Sequence, residues 1–233
     1  MKIETIEVSG MKGALLGMRL PMNKDLETVK DKYPCTVNGE LSEDNKKLCK
    51  KLIKADSIEG NTGDPNSKFL RMIHVQVAVT APLYWWKEMD TYKICTVRNS
   101  SSTMHKLAST PITRDCFEMD DFESVDYIRD SAGFDIKLST QNIWNGLIKD
   151  LEQLRQKYNE TKDKKYWKEL IRLLPESWLQ TSVLDLNYET LRNIYAWRKN
   201  HKLTEWHTFC DWIRTLPYAE ELILNDKGGK ENA

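Results

Sequence analysis

Between Ile73 and Val79 the chain alternates: Ile73, Val75, Val77 and Val79 fall on one side, and His74, Gln76 and Ala78 on the other. A period of two over that length is the mark of a half-buried strand. Thr80 is placed to cap the helix that follows. Pro82 suits that helix's first turn, where its missing N–H is not needed. Leu83, Trp85, Trp86 and Met89 then predict a short, bulky apolar helix. Beyond Tyr92 comes a polar run, Arg98-Asn99-Ser100-Ser101-Ser102-Thr103, ending in Met104-His105. Two readings of this run stand side by side. Ser and Asn favour an ordinary turn for local reasons. Hydroxyls, an amide and a guanidinium set just after a rigid strand–helix unit also suit the anchoring of a polar or phosphorylated ligand.

The rest of the chain fits around this unit. Lys2–Val8 reads as a first strand, with Ile6 and Val8 on one face. Residues 11–22 predict a short helix carrying Arg19 and stopped before Pro21. Residues 25–54 are charged and helix-prone, broken near Pro34-Cys35 and Asn38-Gly39, with an apolar stripe of Leu48, Leu52 and Ile53. Residues 60–66 form a loop. Residues 106–135 are irregular and acidic, with Asp115, Glu118, Asp120, Asp121, Glu123 and Asp126, and read as a surface excursion with short helical turns. A lid, or a metal site built from these carboxylates, is the rarer reading; a solvated acidic face is far commoner.

The final third predicts four helices. Ile143, Trp144, Leu147, Ile148, Leu151 and Leu154 mark the first, opened by Ser139 or Thr140. Tyr166, Trp167, Leu170, Ile171 and Leu174 mark the second, stopped at Pro175. Leu186, Leu191, Ile194, Tyr195 and Trp197 mark the third. Trp206, Phe209, Cys210, Ile213 and Leu216 mark the fourth, ending before Pro217. A small antiparallel or mixed sheet with several long helices is an α+β arrangement. The expectation is one α+β domain over residues 1–224 and a disordered tail over 225–233.

Charge excludes several functions. Lys plus Arg and Asp plus Glu are each 35, so no global field draws the chain to nucleic acid or to a membrane surface, though a local basic pocket stays open. No apolar run approaches the roughly 20 residues of a membrane span, and the first ten residues hold no signal-peptide core. Five cysteines without a CxxC pair read as free thiols in a reducing, cytoplasmic setting, with neither a zinc site nor a disulfide framework. His74, His105, His201 and His207 lack HExxH-type spacing, and no Gly-rich phosphate loop is present. Eight tryptophans mean core packing for most of them, though aromatic walls also suit a flat ring ligand.

From residue 67 to residue 213, and more weakly around Arg19, the order of landmarks resembles the flavin-dependent thymidylate synthase family. That family has a strand running into an Ala-Pro helix start, an Arg-His-Arg motif and then Asn-Glu-x-Ser-x-Arg-Tyr. A Leu-Pro segment follows, then Asn-x-x-x-Leu-x-Asn and Leu-Arg. This chain has Thr80-Ala81-Pro82, then Asn99-Ser100-Ser101-Ser102-Thr103-Met104-His105. Later come Leu174-Pro175, Asn187 through Leu191 to Asn193, and Trp197-Arg198. Asp90-Thr91-Tyr92-Lys93-Ile94 stands where the Arg-His-Arg motif would be, Ser100 stands for its acidic residue and Met104 for its later Arg. Lys93 keeps one positive charge there but cannot copy a planar Arg fork.

The resemblance implies FAD contacts from Ser67, Lys93, Asn99, Asn187 and Asn193, and dUMP contacts from Ser100, Ser102, Arg172 and Arg198. The Arg matching Arg198 meets the uracil ring beside the flavin, which makes Arg198 the one catalytic candidate. The implied activity is a methyltransferase step of nucleotide biosynthesis. FAD, recharged by NADPH, hands on a hydride while methylenetetrahydrofolate supplies the carbon that turns dUMP into dTMP. The cofactor does the hard chemistry, so no protein nucleophile is required. The resemblance also implies a homotetramer with each site built from several subunits. Against this stands a second reading: a non-catalytic nucleotide-binding or structural relative that kept the fold and lost flavin chemistry.

Overall fold

The structure, a computed structural model, describes residues 1–58, 66–120 and 125–224. In chain order the elements are β1 (Lys2–Ser9), α1 (Met11–Arg19), α2 (Leu26–Lys32), β2 (Thr36–Val37), β3 (Glu40–Leu41), α3 (Glu43–Ile58), β4 (His74–Pro82), α4 (Leu83–Met89) and β5 (Thr96–Ser100). They continue as α5 (Thr103–Ser109), β6 (Val125–Arg129), β7 (Asp135–Ser139), α6 (Thr140–Thr161), α7 (Lys164–Leu173), β8 (Leu179–Asn187), α8 (Tyr188–Arg198), α9 (Thr204–Arg214) and α10 (Ala219–Leu222). A small four-stranded sheet, in the order β1-β4-β8-β5, is combined with many helices, so the class is α+β. The residues fall into two compact units: 1–79, 89–99 and 182 onward in the first, and 80–88 with 100–181 in the second.

In the first unit the alternation of β4 does what its period requires, and Val75, Val77 and Val79 are fully buried. Leu184 and Leu186 of β8, Leu191 and Ile194 of α8, and Trp206, Phe209 and Ile213 of α9 are buried in the same unit. Gly10 opens α1 at φ +81°, where a Cβ would come within 1.9 Å of the Met72 carbonyl oxygen. Only glycine tolerates both that conformation and that approach. Asp25 caps α2 by accepting from the Thr28 N–H at 2.8 Å. The break expected near Asn38-Gly39 is a hairpin turn: both residues have positive φ, and β2 pairs antiparallel with β3.

The second unit holds a core of Leu107, Ile112, Phe117, Leu151, Leu170 and Trp178, with the Phe117 ring 5.5 Å from both Trp144 and Trp178. Glu152 of α6 accepts from the Ile112 N–H at 2.8 Å and from Arg155 at 2.6 and 2.7 Å. Trp85 and Trp86 of α4 are buried and meet edge to face at 4.9 Å. The Trp86 Nε1–H is shared between the carbonyls of Ala81 and Gln180, at 3.1 and 3.0 Å.

Several expectations are corrected. Thr80 does not cap α4; it lies in β4, and its hydroxyl meets that of Thr181 at 2.8 Å. Pro82 ends the strand rather than starting the helix. The free N–H groups at the start of α4 donate instead to backbone carbonyls, Leu83 to Trp178 at 3.1 Å and Tyr84 to Glu176 at 3.2 Å. Leu186 belongs to β8 and not to the following helix, which begins at Tyr188. Trp197 is not part of the apolar stripe of α8 but is 74% exposed. The acidic excursion contains the antiparallel hairpin β6–β7, with Val125 opposite Ser139 and Arg129 opposite Asp135. Residues 60–65, Asp121, Glu123 and the tail from Asn225 lie outside the described residues.

Candidate functional site

In the first unit, Met89 to Arg98 carries the chain off α4, around a short loop and into β5. Lys93 N–H bonds the Thr91 carbonyl at 3.1 Å, Tyr92 N–H bonds that of Met89 at 3.0 Å, and Cys95 takes a left-handed φ of 53°. The Thr190 hydroxyl of α8 ties the loop down by donating to the Ile94 carbonyl at 3.1 Å. The result is a cavity of about 150 Å³ lined by Met89, Asp90, Tyr92, Lys93, Thr96, Arg98 and Leu184.

Arg98 is the fixed cation of this cavity. Its Nη1 donates to both carboxylate oxygens of Asp90, each at 2.7 Å, and its Nε donates to Ser182 Oγ of β8 at 3.0 Å. Lys93 is exposed and makes no ion pair among the described residues, so its ammonium is available. Tyr92 links the cavity to α8. Its hydroxyl accepts from Arg198 Nε at 2.8 Å, and the Arg198 guanidinium lies 4.6 Å from the centre of the Trp206 ring and 5.5 Å from that of Tyr92. A half-buried guanidinium between two aromatic faces is held in orientation as well as in place.

The remaining residues implied by the resemblance are distributed as follows. Asn187 is buried and caps α8, accepting from the Thr190 N–H at 2.9 Å. Asn193, on the same helix, is half-buried, and its Oδ1 is buried with no hydrogen-bond partner among the described residues. Ser67 is buried beside the 3₁₀ turn Lys68–Met72, and Asn99 is exposed on β5. In the second unit, Ser100 is exposed at the end of β5. Ser102 caps α5 by accepting from the His105 N–H at 3.3 Å and also meets His105 Nδ1 at 2.9 Å. Arg172 is exposed and paired with Glu169.

The polar run is therefore not a turn: it is the end of an edge strand followed by a helix cap. Within the first unit Lys93 lines the cavity, and Asn193 and Arg198 lie on α8, whose Arg198 holds Tyr92. Asp90, Tyr92, Thr96 and Ser182 escape sequence reasoning as site residues, because each is an ordinary polar residue until β5 is laid beside β8. The signal that could find them is Arg98 itself, a lone guanidinium on a strand whose neighbour carries Ser182. Among the described residues no three metal-ligating side chains gather, and no helix is long and apolar enough to cross a membrane.

No model of a known protein family matches the sequence, and no curated protein matches it. Solved structures do match in fold. The flavin-dependent thymidylate synthase ThyX of Helicobacter pylori, complexed with FAD and dUMP, is 14% identical with a TM-score of 0.61, covering 97% of this chain and 99% of that one. A UMP/dUMP methylase, PolB of Streptomyces cacaoi, bound with 5-Br dUMP, is 13% identical with a TM-score of 0.59, covering 95% of this chain and 93% of that one. At such identities the likeness establishes the fold, over nearly the whole length of both chains.

Proposed function

We propose that this chain binds a pyrimidine nucleotide, dUMP in the first instance, at the face of its first unit that carries Lys93, Arg98, Asn193 and Arg198. The observation that carries the reading is Arg198, fixed between Tyr92 and Trp206 beside a cavity with an available ammonium. A guanidinium so oriented offers planar donors to a uracil carbonyl, and a lysine supplies a point charge for phosphate. The structures that share the fold were solved with dUMP or its 5-bromo analogue, which supports the same substrate class.

The chain keeps less of the FAD grip than the resemblance implies. This cavity, about 150 Å³, is smaller than the roughly 300–1,000 Å³ of whole-ligand pockets, so it takes one end of a nucleotide and the rest lies along the neighbouring face. Where the family presents Arg-His-Arg, Tyr92 is committed to Arg198 and Lys93 alone offers charge. Reductive methylation of dUMP with FAD, NADPH and methylenetetrahydrofolate is the second reading. It is favoured by Asn193, whose buried Oδ1 has no partner among the described residues and so can accept from a ligand donor, at a position where the resemblance implies a flavin contact.

The test is a thermal melt with and without dUMP, alongside the visible spectrum of the purified protein. The expected result is a dUMP-dependent rise in melting temperature, since a ligand of the native state stabilises it by mass action. No rise at millimolar dUMP would overturn the proposal. A flavin spectrum together with dTMP formation would establish the second reading.

A further inference from the structure

The first unit contains a larger cavity that shares no lining residue with the one around Arg98. It holds about 540 Å³ between α1, α2, the β2 strand and Tyr218. That volume lies within the range of small-molecule sites. Met11, Leu15, Leu16 and Pro34 supply apolar wall, and Tyr33 and Tyr218 supply aromatic wall. Its charge is one-sided: among the described residues Lys12 and Lys30 line it and no carboxylate does. Lys30 is neutralised by Glu27 at 2.7 Å, but Lys12 makes no ion pair among the described residues. Arg19 adds to the same sign. Its guanidinium lies 4.1 Å from the centre of the Tyr33 ring and its Nε is bonded to Asn45, while its Nη2 is buried with no partner among the described residues.

We propose that this cavity is a second binding site, for a small amphipathic anion: an apolar or flat aromatic body ending in one carboxylate, sulfonate or phosphate. The body removes apolar and aromatic wall from water. The anionic end meets Lys12, which makes no ion pair among the described residues, in a charge-assisted contact at the mouth of the cavity. The Tyr218 hydroxyl is already spent on the Gly39 carbonyl at 3.1 Å, and the remaining lining hydroxyls, of Tyr33 and Thr36, carry no charge, so Lys12 selects the ligand's sign.

Cys35, half-buried in the lining, gives a local readout. The probe is 1-anilinonaphthalene-8-sulfonate, with uncharged N-phenyl-1-naphthylamine as its comparator. Occupancy is read from its protection of Cys35 against iodoacetamide by peptide mass spectrometry, and affinity from fluorescence titration. The expected result is at least fivefold protection of Cys35 by the sulfonate. Lys12→Met should weaken the sulfonate about tenfold while the neutral dye changes less than twofold. Lys12 is exposed on the first turn of α1, so this variant is expected to fold, and the protection measurement on the unaltered protein does not depend on it. Unprotected Cys35 at saturating sulfonate would overturn the site. Equal protection by both dyes, unchanged in Lys12→Met, would overturn the assignment to anions.

Discussion

Tyr92 accepts a hydrogen bond from Arg198 at 2.8 Å, joining residues 106 positions apart in the chain. A tyrosine on the loop between α4 and β5 is thus the seat of an arginine on α8. Arg198 is thus both packed and presented, and its two roles separate experimentally. Tyr92→Phe removes one acceptor from a half-buried charged donor and should cost about 1–2 kcal/mol. Arg198→Ala loses that bond and the packing against Trp206 as well, and should cost at least as much. Only Arg198→Ala should abolish the rise in melting temperature with dUMP; an equal rise in that variant would remove Arg198 from the site.

Asn187 should behave as a structural residue. It is buried and caps α8, so Asn187→Ala should lower stability by about 1–2 kcal/mol, with Asn187→Asp or Ser milder. Denaturant titration measures this. A normal midpoint in the alanine variant would show that the cap contributes nothing.

Gly10→Ala should destabilise by at least about 2 kcal/mol, because it combines a positive φ with a backbone clash against Met72. A melting temperature within a degree of the parent would contradict this geometry.

Acid should weaken the second unit through Glu152. Hydrogen bonds from Arg155, then from the Ile112 N–H and Gln156, hold its carboxyl down to about 2 from the ordinary 4.5. Because the folded value is the lower one, the stabilisation is complete above the unfolded value and is lost as pH falls from about 4.5 toward 2. Denaturation midpoints across that window should slope downward. Glu152→Gln should flatten the slope, and a slope unchanged in the variant would assign it elsewhere.

The thiols should divide cleanly. Burial pushes Cys49 up to about 12 and Cys210 up to about 11, whereas Cys95 is exposed. Since the thiolate is the reactive form, a disulfide reagent should titrate Cys95 fastest in the native protein and Cys49 and Cys210 only after unfolding.

Subunit association is the remaining expectation. Ile94, Val97 and Trp197 of the first unit are 80%, 69% and 74% exposed. Bulky apolar groups in that state suit an interface between copies, and a homotetramer is the expected assembly. Light scattering that returns a monomer at micromolar concentration would count against it.

How much is legible in the sequence varies by element, for physical reasons. β4 is legible because Val75, Val77 and Val79, with Ile73 just before the strand, keep a strict alternation that has one interpretation. β8 escapes although Ser182, Leu184 and Leu186 alternate inward. Its apolar face is short, its outward face carries Thr181, Val183 and Asp185, and it runs without a break into α8, so a helical count absorbs Leu186. Residue type places Trp197 on the stripe, but it lies beside the Arg198 turn rather than on the inward face. The cap of α4 is unreadable in principle, since the partners of its N–H groups are carbonyls and leave no mark on side-chain identity.

Those carbonyls also set an order of events. The start of α4 is completed only by Glu176 and Trp178, and Trp86 reaches its second acceptor at Gln180, 94 residues further along the chain. During synthesis the pair Trp85-Trp86 therefore emerges from the ribosome long before its permanent partners exist. Contacts so distant in sequence form late and slowly, and unhoused aromatic surface invites association with other chains in the interval. The aromatic pair that ends fully buried is thus the part that most needs shelter while the protein is being made.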